Sequence, residues 1–262
     1  MKLTRSIRML ASSLVLAVPL ASAAQDAAPG TSYVGAGLRS RPAYDGSNSQ
    51  RAQLIPELRY YGTTWFARTT QGMLEGGARV DLAPGLAFGG QLAYEAGRSA
   101  SESPFLRDHN VADVDTGASL GVHLEWDHKI GPMPINLLGR LRQRTDSDLG
   151  AQADLRFTAG IYGEGRVQLG AFAQATWANA KSTRAYYGIT PEQAAATGLP
   201  AFDPGSGLLY TSFGLLGSVD IDRTWVVIGS LESRHLRGDA ASSPLSERKT
   251  NYYASAGVAY RF

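Results

Sequence analysis

The chain has 262 residues, with 25 Lys and Arg against 23 Asp and Glu, 30 glycines and no cysteine. The absence of cysteine excludes disulfides and thiolate metal sites. The net charge of +2 includes Lys2, Arg5 and Arg8; without them, 22 basic residues face 23 acidic ones and the net charge is −1. That balance gives no support to a nucleic-acid partner, because phosphates select basic surfaces.

The N-terminus has the organisation of a secretory signal peptide. Three cationic residues precede an apolar run from Met9 to Leu20, and the small residues Ala21-Ser22-Ala23 follow. The apolar run is too short to cross a bilayer as a helix. We therefore predict a signal peptide over residues 1–23, cleaved after 23 or 24, a linker over 24–30, and one barrel domain over 31–262.

From Val34 onward, apolar residues recur at every second position, a period that places them on one face of a β-strand. We predict about 12 strands, many of them about ten residues long, which is the length a tilted strand needs to cross a bilayer. The apolar sets lie at residues 34–38, 52–60, 65–67, 74–82, 86–94, 116–126, 135–141, 149–161, 167–177, 209–221, 225–231 and 252–262. Residues 50–70 also allow one irregular strand instead of two.

The alternate positions are polar, as expected either for the outside of a soluble sandwich or for the lumen of a membrane barrel. The connections favour the barrel, because the long ones all fall on one side. These are Ser40 to Ser49, Arg98 to Asp113, Asn179 to Gly207, and Arg237 to Lys249. The predicted fold is therefore an all-β, antiparallel transmembrane β-barrel in a Gram-negative outer membrane, with the long loops outside.

The last strand ends in an aromatic residue, as the closing strand of outer-membrane barrels often does. Its apolar face carries Val258, Tyr260 and Phe262, which we predict form the signal read by the barrel-assembly machinery. The strand is expected to contact outer-membrane lipid and to pair with the first strand near Val34 to Leu38. Deleting Phe262 is expected to impair assembly more than any activity of the finished barrel.

A ladder of basic residues, Arg140, Arg142 and Arg144, lies on the polar face of one strand. Such a ladder biases a pore toward anions if its charge is free. Alternatively, the carboxylates of Glu125, Asp127 and Asp154 on the adjacent strands neutralise it. A barrel of about twelve strands is wider than one that side chains alone fill. A narrow pore for small solutes and a plugged lumen therefore both remain open.

The sequence supplies no convincing catalytic group. His123 lies two residues before Glu125 on the lumenal face, and His109 follows Asp108 in a long loop, but no nucleophile stands at a suitable spacing. No HExxH motif occurs, so we predict no catalytic residue, no metal and no cofactor. The tripeptide Arg237-Gly238-Asp239 allows an adhesive loop, although such a tripeptide often arises by chance and a glycine turn is the favoured explanation. Adhesin or barrel enzyme is the third functional class.

The longest loop carries the most distinctive motif, the run YYGITPEQAAATGLPAFDPGSGL from Tyr186 to Leu208. Within it, Thr190 and Pro191 are predicted to start a short helix that ends near Gly198. The run resembles the signature of the MipA/OmpV family of outer-membrane proteins. Further similar segments are Arg41 to Ser47, Trp177 to Ala180, Leu236 to Ala240, and Ser243-Pro244.

The resemblance covers essentially the whole mature chain and implies a scaffold function. A member of that family interacts with a membrane-bound lytic transglycosylase and is regarded as joining this murein hydrolase to a murein synthase. The expected partners are therefore these two cell-wall enzymes, and the expected process is peptidoglycan remodelling. The family supplies no catalytic residues.

Overall fold

The computed structural model describes residues 32–262, so the predicted signal peptide and linker lie outside the described residues. Twelve antiparallel strands form a closed barrel in which each strand pairs with its neighbours in the chain and β12 pairs with β1. This confirms the predicted fold. The strands are β1 (Tyr33–Pro42), β2 (Gln50–Tyr61), β3 (Trp65–Thr70), β4 (Met73–Ala83), β5 (Leu86–Glu95), β6 (Gly117–Ile130), β7 (Met133–Arg144), β8 (Ala151–Glu164), β9 (Val167–Ala178), β10 (Gly207–Asp220), β11 (Trp225–Leu236) and β12 (Thr250–Arg261).

The period-two pattern places apolar side chains outside the barrel and polar side chains inside it. Large apolar residues such as Leu38, Leu120 and Phe213 are exposed, whereas Gln91 and Arg140 are buried. A continuous exposed apolar band is costly in water and favourable against lipid. Within residues 32–262, no helix is both long enough and apolar enough to span a membrane.

The closing seam joins the first and last strands, as expected, near Val34 to Leu38. Val34 pairs with Tyr260, Ala36 with Val258 and Leu38 with Ala256. The Phe262 N–H donates to the Ser32 carbonyl oxygen at 3.1 Å. Phe262 as a whole is 65% exposed. The pairing confirms the predicted closure, while reading of Phe262 by the assembly machinery stays a prediction.

Connections at the inner end are turns of two to four residues, and the long connections all lie at the outer end. The outer loops carry four short helices: α1 (Pro104–Asp108), α2 (Ala180–Tyr187), α3 (Pro191–Thr197) and α4 (Gly238–Ser242). Helix α3 is the predicted one. Thr190 and Gln193 form a capping box at its start, and Gly198 ends it with a left-handed φ of 71°.

Residues 50–70 form two strands, β2 and β3, but these pair only at the inner end. The ladder consists of Arg59 with Arg68, Tyr60 with Ala67, and Tyr61 with Phe66. Toward the outer end, residues 50–58 of β2 pair with β1 but with no strand on their other edge within the described chain. The reason is that β3 ends at Thr70, where the chain turns into β4. We call this gap between β2 and the β3–β4 turn the lateral window.

Candidate functional site: the lumen and its outer cap

One side of the lumen is lined by a buried network of charges that centres on Glu75 of β4. Its carboxylate accepts from Arg68 Nε at 2.6 Å, from Arg140 Nη1 at 3.1 Å and from Gln91 Nε2 at 3.0 Å. The side chains of Glu75 and Arg140 are almost fully buried. Because each strand alternates inward and outward, these groups from β3, β4, β5 and β7 all project into the same space.

Asp154 of β8 extends this network toward the outer end. Its Oδ2 lies 3.3 Å from Arg140 Nη2 and 2.8 Å from Arg142 Nη2. The same Arg142 also donates to Glu95 of β5. Arg144, the outermost of the three, donates to the Asp115 carbonyl oxygen at 2.9 Å. Two of the three ladder arginines are therefore neutralised by carboxylates, which removes the basis for a basic ring.

The partners of the ladder differ in part from those the sequence predicted. Glu125 binds Arg68 at 3.1 Å and Asn136 at 3.0 Å, while Asp127 accepts from Asn136 at 2.8 Å. Of the three carboxylates that the sequence predicted as partners, Asp154 is thus the one that contacts the ladder. The structure adds two partners that were not predicted, Glu75 and Glu95. They lie on β4 and β5, which are not adjacent to β7. Their contacts cross the lumen, so strand-neighbour reasoning could not find them.

The two histidines considered for catalysis make structural contacts. His123 is buried, and its ring meets the Phe66 ring edge-on at 5.0 Å between centroids. His109 contacts Phe105 through its ring at 4.5 Å and through Nδ1, which lies 2.9 Å from the Phe105 carbonyl oxygen. These contacts hold both rings in place, while the buried His123 Nδ1 has no hydrogen-bond partner within residues 32–262.

A second polar cluster lies near the outer end, on the opposite side of the lumen. Arg234 of β11 binds Asp45 at 2.8 Å and Glu232 at 3.0 Å. Its guanidinium stacks over the rings of Tyr210 at 4.2 Å and Tyr253 at 4.4 Å. The cluster joins the β1–β2 loop to β10, β11 and β12 directly beneath the outer loops.

The outer loops pack into one layer over the mouth, which we call the outer cap: residues 43–49, 96–116, 179–206 and 237–249. All four loops contribute to a buried apolar cluster that comprises Ala43, Tyr44, Leu106, Val111, Ile189 and Leu245. A second cluster joins Tyr187 and Ala240 to the tops of β9, β10 and β11. Burial raises the pKa of the Tyr187 hydroxyl well above its usual value, so this group stays protonated.

Hydrogen bonds between the loops fix this layer. Arg98 Nη1 donates to the Tyr186 carbonyl oxygen at 2.5 Å, and Ser243 Oγ donates to the Tyr187 carbonyl oxygen at 2.7 Å. The Tyr44 hydroxyl donates to the Leu245 carbonyl oxygen at 2.9 Å. The long loop therefore belongs to a cap over the mouth.

Below the cap, the lumen contains a cavity of about 170 Å³. Its lining includes residues at the inner ends of four strands: Tyr33, Gln168, Ser218 and Arg261. No residue of the outer cap contributes to this lining. The long loop thus covers the bore without filling it, and the cavity extends to the inner rim.

Several solved outer-membrane proteins are similar to this chain. The COG4313 outer membrane channel from Pseudomonas putida F1 is 10% identical, with 90% of this chain and 97% of that one covered and a TM-score of 0.51. LpxR from Salmonella typhimurium is 7% identical, with 87% and 100% covered and a TM-score of 0.48. At these identities the likeness concerns the barrel fold alone.

Among proteins with curated functions, none matches the sequence. A family model does match, over residues 34–262, and its description is MltA-interacting protein MipA. That range includes all the strands except the first residue of β1, together with the whole outer cap. The chain is therefore an outer-membrane β-barrel that belongs to the MipA family.

Proposed function

We propose that this barrel is a membrane scaffold that binds periplasmic murein enzymes at its inner end. The observation that carries the proposal is the difference between the two ends of the lumen. The outer mouth lies beneath a cap with its own buried clusters, whereas the cavity extends to the inner rim. The family description, MltA-interacting protein, supports a lytic transglycosylase as one partner, and a murein synthase is the second.

The inner turns alone offer little surface for such a partner, because each has only two to four residues. The cavity adds to that surface a recess whose lower lining includes Tyr33 and Arg261. Arg261 is held by Asp220, with Nη2 and Oδ1 2.5 Å apart. A segment of a periplasmic partner can therefore contact both the turns and the recess.

Crosslinking in cell envelopes tests the scaffold. The intact chain is expected to recover a lytic transglycosylase and a murein synthase. Charge reversal at the exposed inner turn, Arg223→Glu, is expected to reduce recovery several-fold, because this residue faces the periplasm in our assignment. The matched control is Arg107→Glu, an exposed arginine of the outer cap, which should leave recovery unchanged. Failure to recover either enzyme with the intact chain would overturn the scaffold.

The second candidate is a narrow pore, which the lumenal cavity favours. Conduction requires the outer cap to move, and the pairing of Arg140 and Arg142 with carboxylates weakens anion selectivity. The intact barrel in a planar bilayer is therefore expected to show no steady conductance steps. Discrete steps whose ion selectivity changes when Arg140, Arg142 and Arg144 are replaced by Ala would support the pore instead.

A further inference from the structure

The lateral window leaves one edge of β2 unpaired over residues 50–58. An unpaired strand edge in hydrocarbon costs several kcal/mol for each unsatisfied backbone group. Pro56 lies in this edge, as expected, because proline lacks the N–H that a paired position needs. Leu54, two residues away, is 77% exposed. The barrel wall is therefore open along this edge of β2.

Specific contacts hold the borders of the window. At the top, Glu102 of the outer cap lies 3.0 Å from Arg41 Nη2 and 4.0 Å from Arg51 Nε. At the far side, the Arg39 guanidinium reaches from β1 to the β3–β4 turn, where a Cβ on Gly72 would lie 2.3 Å from Arg39 Nη1. The window is thus framed by interactions from three separate parts of the chain.

The cavity lies directly behind the window, because residues from both borders line it. Ile55 and Glu57 of β2 line it together with the end of β3 and the β3–β4 turn, residues 69–72. Apolar side chains of β11, including Val226 and Ile228, form part of the cavity wall. Sites for whole drug-sized ligands have volumes of about 300 Å³ or more. At about 170 Å³, this cavity suits one end of a molecule whose remainder stays in the window.

Glu57 is the carboxylate in this cavity that lacks a partner. Glu125 and Glu232 also line the cavity, and each binds an arginine. Glu57 is 8% exposed, and no residue from 32 to 262 forms a hydrogen bond or ion pair with it. Its side chain lies over Gly37 and Gly257, where any Cβ would come within 3.0 Å of it. A buried carboxylate without a partner is unfavourable unless a cation or proton compensates it.

We propose that the lateral window admits a membrane-dissolved amphiphile whose primary ammonium group binds Glu57 while its alkyl chain remains in the lipid. The ammonium supplies the missing positive charge, and its three N–H donors match the carboxylate oxygens. The apolar wall accepts the first carbons of the chain, and the window lets the rest lie along the exposed face of β2. The amine would enter this cavity through the window and a periplasmic partner through the inner rim, so amine binding is measured in the absence of any murein enzyme.

Binding of dodecylamine to the full barrel in phosphatidylglycerol nanodiscs tests this site. Dodecanol and dodecanoic acid, which match it in chain length, are the comparison ligands. We expect saturable binding of the amine alone. Glu57→Gln removes the charge at nearly constant shape and is expected to weaken binding at least tenfold. The matched control is Glu95→Gln, a lumenal carboxylate that does not line the cavity, and it should bind the amine normally.

Two further arms make the result decisive. Because the chain has no native cysteine, Pro56→Cys can be labelled with a bulky maleimide at the window, which should slow amine association. Replacing half of the lipid by phosphatidylethanolamine distinguishes a lipid headgroup from a free amine: competition supports the headgroup, and no competition supports the free amine. Unchanged affinity in Glu57→Gln, or equal binding of dodecanol, would overturn the proposal.

Discussion

The lumenal wall and the outer cap belong to the same barrel, but different interactions stabilise each of them: ion pairs in the wall and apolar contacts in the cap. In the wall, Glu75 connects arginines of the non-adjacent strands β3 and β7, and Asp154 of β8 binds two arginines of β7. In the cap, the connections are apolar clusters around Leu106 and Leu245. The strands direct their apolar side chains to lipid, so polar groups must link the strands inside the lumen. The cap is surrounded by water and therefore follows the ordinary rule of an apolar core.

The largest effect is expected in the wall. Glu75→Ala leaves the buried guanidinium groups of Arg68 and Arg140 without their shared carboxylate. Breaking a buried ion pair from one side typically costs 3–5 kcal/mol, so we expect a loss of about 4 kcal/mol. Urea unfolding in lipid vesicles measures it. The control is Glu102→Ala, a partly exposed ion pair, for which about 1 kcal/mol or less is expected. Equal effects would mean that the wall network contributes no special stability.

A smaller and more local effect is expected in the cap. Leu245 is 1% exposed, and Leu245→Ala creates a cavity at the junction of the loops. Such a substitution costs about 3 kcal/mol where the surroundings relax little. Hydrogen exchange should accelerate in residues 43–49, 96–116 and 179–206, while the strand amides remain protected. If the strands lost protection in parallel, the cap and the wall would be one cooperative unit and the contrast between them would fail.

The smallest effect is expected at the outer edge of the cap. Thr190→Ala removes the side chain that accepts from the Gln193 N–H at 3.2 Å at the start of α3. Loss of an N-cap costs about 1 kcal/mol. Protease cleavage between residues 190 and 198 should therefore increase about fivefold, since 1.4 kcal/mol is about a factor of ten. Thr190→Ser, which keeps the oxygen, should restore resistance; no rescue would show that the cap does not depend on this bond.

The sequence predicted the strands well and the contacts within the lumen poorly. Alternation of apolar residues is a local property, so it located the strands, and barrel closure then predicted that the last strand pairs with the first near Val34 to Leu38. The helix after Thr190 was equally predictable, because its capping residues are adjacent in sequence. The contact of Glu75 with Arg140 depends on where two strands three places apart meet across a curved lumen, which no local pattern records.

The lateral window was hidden for a related reason. The irregularity of residues 50–70 was visible, but alternation cannot show whether a strand is paired along its whole length. Pairing depends on where β3 ends relative to β2, and the turn at Gln71 and Gly72 sets this. Alternation likewise places Glu57 among the inward-facing polar residues, but it cannot show that this carboxylate has no partner among the described residues of the folded barrel.

The two ends of the segment 190–201 in the long loop are held together by a backbone bridge, and this makes the segment a suitable place for an insertion. Ile189 and Phe202 exchange two backbone hydrogen bonds of 2.8 Å, so residues 190–201 begin and end at one point. Gly198 lies in this segment, and a Cβ built on it would have open space around it. Exposed loop tips of this kind tolerate insertions best. We therefore expect this position to accept an inserted peptide epitope, with the paired residues Ile189 and Phe202 separating the insert from the barrel.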